Sequence, residues 1–182
     1  MRTLGFDPAL RHGAVVLGYW KQIDGNIYFA SVDEIFHWTK KDAIAIGQRA
    51  APKEIYRLTA SILASMQPYK GVAVGIDYSK YIGHFKSRKI QVVTQSFFAG
   101  YFTARAQTQG HPVVFIDPSL IRKMIGGKTK EDVWESFCNM SECHHDWPAG
   151  ELRDDLRDAL ILSYIVARGA GECYLTYPDS HS

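Results

Sequence analysis

The chain has 182 residues, enough for one compact domain with a sizeable core, and its 46% hydrophobic and 22% charged residues exclude a disordered or fibrous protein. A net charge of +2 does not by itself announce a nucleic-acid binder, and no run of 18 apolar residues offers a membrane span. Three cysteines, Cys138, Cys143 and Cys173, are too few and odd in number for a disulfide framework, and the N-terminus lacks a signal-peptide layout, so a soluble protein of a reducing, cytoplasmic compartment is expected.

Residues 3–6 read as a short buried strand that ends on Asp7. Pro8 has no N–H to give a ladder, so the strand stops there and Asp7 stands at a sheet rim. Residues 12–20 are β-branched and aromatic, as a strand should be. Asp24-Gly25 then separates them from a second such run, 27–32. Asp-Gly between two strand-like runs is a strong hairpin signal, because both residues tolerate positive φ. The domain is therefore expected to open with a three-strand antiparallel meander. From 33 to 51 the pattern is unclear, although 42–46 could be helical. Pro52 fits a first helical turn, and Ile55, Leu58, Ile62, Leu63 and Met66 follow at helical spacing until Pro68 and Gly71. Residues 72–76 form a continuous apolar run typical of a strand buried on both faces. It ends on Asp77, as the first strand ends on Asp7.

Residues 78–89 interleave Lys80, Lys86, Arg88 and Lys89 with Tyr78, Tyr81 and Phe85. Either this is a solvated loop whose rings fold back on the core, or it contacts nucleic acid, with cations for phosphates and rings for unstacked bases. Its place directly after an acidic strand end favours the second reading. A helix is predicted over 94–109, with Gly110 as its stop. Its aromatic stripe reads as core, while Gly100 and Ala104 would let another backbone approach. A further buried strand covers 112–116. Asp117-Pro118 opens a short helix carrying Leu120, Ile121 and Met124, which Gly126-Gly127 breaks. Another helix is predicted over 130–138, a loop over 139–150, and a final helix over 152–168. The reading is one domain, 1–168, with a loosely packed tail, 169–182.

The acidic positions suggest chemistry. Asp155 and Asp158 are three apart near a helix start and share a face. Asp154 and Asp158 could do the same, so the choice stays open. The strongly apolar residues after Asp158 place its face near the sheet. If Asp7, Asp77 and this pair converge, the carboxylates repel and raise one another's pKa. A divalent cation removes that cost, and carboxylate ligands suit Mg²⁺, with Mn²⁺ as a substitute. Two such ions about 3.5–4 Å apart would clamp the attacking and leaving oxygens of a phosphodiester. Arg122, Lys123, Lys128 and Lys130 are either ordinary surface charge or cations delivered to a phosphate, without which the carboxylates would repel DNA. Two other motifs fail. Gly126-Gly127-Lys128-Thr129 ends like a phosphate loop, but Arg122 stands where the first glycine belongs. Cys138, Cys143, His144 and His145 match no common zinc spacing.

The order of these pieces resembles the RuvC family of Holliday junction resolvases, within the RNase H-like superfamily. Three motifs carry the resemblance. The first is Leu4-Gly5-Phe6-Asp7-Pro8-Ala9-Leu10. The second runs through Pro118, Ile121-Arg122, Gly126-Gly127 and Lys130-Glu131-Asp132-Val133. The third is Asp155-Leu156-Arg157-Asp158-Ala159-Leu160. The resemblance implies an α/β fold, a mixed RNase H-like sheet with the antiparallel meander, added parallel strands, and helices on both faces. It implies a homodimeric, Mg²⁺-dependent endonuclease that nicks opposed strands of a four-way DNA junction. Asp7, Asp77, Asp155 and Asp158 would be metal-binding catalytic carboxylates, and Lys130, counted with the catalytic residues, and Arg122 would occupy the positions of the family's functional basic residues. The helix 94–109 resembles the family's dimer helix. Asp77 stands where bacterial members usually have Glu, Arg122 where they have Lys, and Arg11-His12-Gly13 where they have Thr-Gly; residues 36–51 have no counterpart. These departures resemble viral or phage-type relatives, some of which also cut flaps, forks and other branched DNA. Two alternatives stay open, a nuclease of the same fold acting on RNA–DNA hybrids and a junction-binding scaffold without turnover.

Overall fold

A computed structural model of the chain describes residues 1–8, 12–39, 51–77, 89–150 and 152–169. The expected nucleic-acid contacts at Lys80, Tyr81, Phe85, Lys86 and Arg88 lie outside these residues, as do the helix suggested at 42–46 and positions 170–182 of the tail.

The described strands form one five-stranded sheet. Strands β1 (Arg2–Asp7), β2 (Gly13–Ile23) and β3 (Asn26–Trp38) make the antiparallel meander. β4 (Val74–Asp77) pairs parallel with β1, and β5 (Val113–Ile116) pairs parallel with β4. The spatial order is β3-β2-β1-β4-β5. Parallel neighbours need crossovers, and two helices supply them. Helix α1 (Ala51–Met66) connects the meander to β4, and α2 (Lys89–Thr108) connects β4 to β5. Helices α3 (Pro118–Ile125), α4 (Lys130–Ser141) and α5 (Arg153–Ala167) follow.

Side-chain alternation splits the core in two. Leu4 and Phe6 of β1 join Ile55, Leu58 and Ile62 of α1 and Phe98 and Phe102 of α2 on one face. Ala14 and Val16 of β2 join Trp134 and Phe137 of α4 and the apolar side of α5 on the other. The helices thus cover both faces, as expected.

The position of α5 is set by what β1 and β4 lack. A Cβ on Gly5 would stand 1.6 Å from the Ala159 carbonyl oxygen, and one on Gly75 would stand 2.8 Å from that of Leu162. Glycine at these two aligned positions lets the helix backbone lie against the sheet. A buried polar cluster fixes how far along it lies. Thr3 Oγ1 donates to the Ser163 carbonyl at 2.7 Å, Ser163 Oγ donates to the Thr3 carbonyl at 2.9 Å, and Trp20 Nε1 donates to Thr3 Oγ1 at 2.9 Å. Every buried polar group there has a partner, so the cluster specifies one register.

Several boundaries differ from the sequence reading, and β2 for one runs to Ile23 rather than stopping at 20. β3 continues six residues past 32, to Trp38. It is an edge strand whose polar Asp33, Glu34 and His37 face solvent, and register shifts opposite Val15/Val16 and Tyr19/Trp20 break its alternation. α2 begins at Lys89, which therefore opens a helix rather than closing a loop. α4 runs three residues beyond 138 because its stop is Glu142 in the left-handed conformation, φ 54°, where a glycine would have been legible.

Candidate functional site

The parallel register pairs Phe6 with Ile76, so Asp7 and Asp77 leave adjacent strands at one level. Both share the α5 side of the sheet with Gly5 and Gly75, two residues before each. α5 runs antiparallel to β1, with Ser163 beside Thr3. Thr3 to Asp7 is four strand residues, about 13 Å. Ser163 back to Asp155 is eight helical residues, about 12 Å. The matched lengths bring Asp155 to the level of Asp7.

The result is a cavity of about 380 Å³ lined by Asp7, Asp77, Asp155 and Asp158. The turn between α3 and α4 brings Lys128 and Lys130 to it, and α3 brings Arg122. Thr129 caps α4 and exchanges hydrogen bonds with Asp132, so this turn is held at both ends. Ile121, Val133, Ile161 and Leu162 form an apolar wall. Of Asp154 and Asp155, it is Asp155 that stands at the cavity. Asp155 is 4% exposed and lines it, whereas Asp154 is exposed and lies 3.8 Å from Arg153. Lys123 is exposed on α3 and does not line the cavity.

The electrostatics are those of crowded acids. Burial pushes the Asp7 carboxyl well above the usual range, and Asp158, Asp77 and Asp155 push it further, against an opposing pull from Lys130. Burial and Asp158 raise Asp77 to about 6. Asp155 is raised by burial, with His12 opposing. Burial works against the Lys130 ammonium, but Asp158 and Asp7 outweigh it and hold its pKa above the ordinary value. Lys130 Nζ donates to Asp158 Oδ2 at 2.6 Å.

Four carboxylates make an all-oxygen donor set, which is the chemistry of a hard divalent cation. Asp77 Oδ1 is buried and has no hydrogen-bond partner among the described residues. Such a carboxylate oxygen, beside acids that raise one another, suits a bound cation. As placed, no three His, Cys, Asp or Glu side chains among the described residues form a ready metal-binding group. Asp155 and Asp158 each have one oxygen engaged by an internal partner, His12 and Lys130.

Two cavity residues were not singled out from sequence. Gln95 comes from α2 and His12 from the residue just before β2. His12 Nδ1 lies 2.6 Å from Asp155 Oδ2, across 143 residues of chain. No local pattern marks such a pair.

No protein-family profile and no curated protein matches the sequence. Solved structures do match in fold. A Thermus thermophilus RuvC structure aligns with TM-score 0.62 at 17% identity, over 96% of this chain and 98% of that one. T. thermophilus RuvC in complex with a Holliday junction substrate aligns with TM-score 0.61 at 18% identity, over 93% and 94%. The yeast mitochondrial Holliday junction resolvase Ydc2 aligns with TM-score 0.52 at 10% identity, over 94% and 80%. The chain therefore has the fold of RuvC along nearly its whole length.

Proposed function

We propose that this protein is a Mg²⁺-dependent endonuclease that resolves four-way DNA junctions by paired nicking, acting as a homodimer. The observation that carries the reading is the convergence of Asp7, Asp77, Asp155 and Asp158 on one cation-rimmed cavity, in a fold shared with RuvC. Asp7, Asp77, Asp155 and Asp158 would hold Mg²⁺ or Mn²⁺, which when bound supplies water activation and charge stabilisation at the leaving 3′-oxygen. Arg122, Lys128 and Lys130 attract the backbone phosphates to a cavity whose own acids would repel them. Lys130 also tempers the acids directly, through Asp158 and against the raised Asp7. The strands and helix that carry the carboxylates are locked by the glycine contacts and the Thr3–Ser163–Trp20 cluster, so the acids are held in place before DNA arrives.

The test is an end-labelled immobile four-way junction, incubated with Mg²⁺ or with EDTA and mapped for nicks on all four strands. Symmetric paired nicks are expected with Mg²⁺ and none with EDTA. Asp7→Asn should abolish the nicks and keep junction binding; a variant that cuts normally removes Asp7 from the site. A second reading, a junction-binding scaffold, draws on the lack of a ready metal-binding group among the described residues. It predicts binding that EDTA leaves unchanged and no nicks in either buffer. Cleavage of flaps, forks or RNA–DNA hybrids in preference to junctions would retain the chemistry and change the substrate.

A further inference from the structure

We propose that His12 is a positioning residue that holds the Asp155 carboxylate for its part in the site; this rests on the metal-dependent reading above. The contact is 2.6 Å, within the range of charge-assisted hydrogen bonds. An ionised carboxylate only accepts, so Nδ1 carries the donated hydrogen. Asp155 has two oxygens, and this bond commits Oδ2. Oδ1 is then the oxygen left to face an ion, and the bond fixes the plane of the carboxylate around it.

The chain makes a particular effort to bring His12 there. Asp7 pairs with Ala14 across the β1–β2 ladder, which leaves His12 just beyond the paired end. Between them, Gly13 admits no side chain. A Cβ at that position would stand 2.3 Å from the Trp38 ring and 2.5 Å from the Asp7 carbonyl oxygen. Glycine lets β2 begin directly against Asp7, with the next residue back reaching Asp155. The imidazole lines the same cavity as Asp7 and is 40% exposed in its side chain, while its partner is 6% exposed. Asp158, one turn along α5, is held in parallel fashion by Lys130 from α4. The two helix carboxylates are thus gripped from opposite elements. Lys130 grips with a flexible point charge and His12 with a rigid ring that offers one oriented N–H.

Partners that orient ligating carboxylates typically change metal affinity or activity by 10–100-fold when removed. The test is Mn²⁺ binding to the full-length protein, read from the electron paramagnetic resonance signal of the free ion. His12→Ala should weaken Mn²⁺ binding roughly 10–100-fold and shift the Mg²⁺ concentration needed for half-maximal cleavage in the same direction. Junction affinity in EDTA should stay unchanged. His12→Asn places an amide N–H near the Nδ1 position and should recover most of the lost metal affinity, which a merely space-filling role for His12 would not predict. If His12→Ala binds Mn²⁺ as the wild type does, the proposal fails, whether or not cleavage falls; a fall in cleavage alone would instead mean direct contact with DNA. If His12→Ala and His12→Asn lose affinity equally, orientation by the N–H is also excluded. A wild-type protein that binds no Mn²⁺ and cuts nothing overturns the metal reading and His12 with it, an outcome distinct from failure of the variants alone.

Discussion

Asp77 concentrates the conflict of the site in one side chain. Its carboxyl is raised to about 6, chiefly by burial and then by Asp158, and one of its oxygens is buried without a partner among the described residues. An acid whose folded pKa exceeds its unfolded value binds its proton more tightly when folded. Its contribution to stability is full below the unfolded pKa, near 3.8, and is lost as pH rises through about 6. Above that window the ionised Asp77 costs the metal-free protein roughly 3 kcal/mol. Asp77→Asn removes the charge. In EDTA it should melt at nearly the wild-type temperature at pH 4 and roughly 6–12 °C higher at pH 7.5, as calorimetry at the two pH values would show. A gain equal at both pH values, or no gain at pH 7.5, would mean that the charge of Asp77 is not what strains the site. The same substitution should impair cleavage, because a residue placed for chemistry is retained against its effect on stability.

At the scale of elements, the site depends on α5 lying flat on the sheet. The backbone contact at Gly5 is so close that any side chain must move the helix. Gly5→Ala should therefore destabilise by about 3 kcal/mol or more, at or beyond the upper end for overpacked cores. Ser163→Ala removes one hydroxyl from a cluster in which Trp20 Nε1 still reaches Thr3 Oγ1, and should cost only about 1 kcal/mol. Urea unfolding of the two variants tests this ordering; equal losses would show that the polar cluster, not the close approach, holds the helix. These elements also show how far the sequence could be read. Strand ends at Asp7 and Asp77 were legible because a proline follows one and a short apolar run precedes the other. The extension of β3 to Trp38 was not, since an edge strand with Asp33, Glu34 and His37 on it looks like a loop. The α4 stop was hidden because Glu142 takes a conformation usually given to glycine. Asp154 and Asp155 were indistinguishable until the Thr3–Ser163 contact fixed which helix face meets the sheet. His12 had no local signal at all, because its meaning comes from a partner 143 residues away.

At the scale of the molecule, one face has no partner among the described residues. α1 and α2 cover the sheet with Phe98 and Phe102 inward, yet Tyr56 is 47% and Phe97 42% exposed on their outer side. Tyr101 packs against both, with ring centroids at 4.7 Å from Tyr56 and 6.3 Å from Phe97. Beside them Gly100 leaves open space where a side chain would be. Clustered exposed aromatics next to a bare stretch of helix suit an interface, where large rings supply contact area and a small residue lets backbones approach. The proposed reaction cuts two opposed strands, which calls for two copies of the site, and a two-fold axis through this face would pair the same residues with themselves. On that reading the wild-type protein sediments as a dimer, and Phe97→Glu, which sets like charges against each other across the axis, weakens dimerisation by at least about 30-fold, the loss of roughly 2 kcal/mol expected of a central aromatic anchor. Phe97 does not line the cavity, so the variant should still nick single strands of the junction, but the nicks should no longer come in pairs within one binding event. Sedimentation velocity and a cruciform plasmid, which separates single from paired cuts by its topology, read the two effects independently. A Phe97→Glu protein that remains dimeric and cuts in pairs would remove this face from the assembly and leave the exposed aromatics without a role in coupling the two sites.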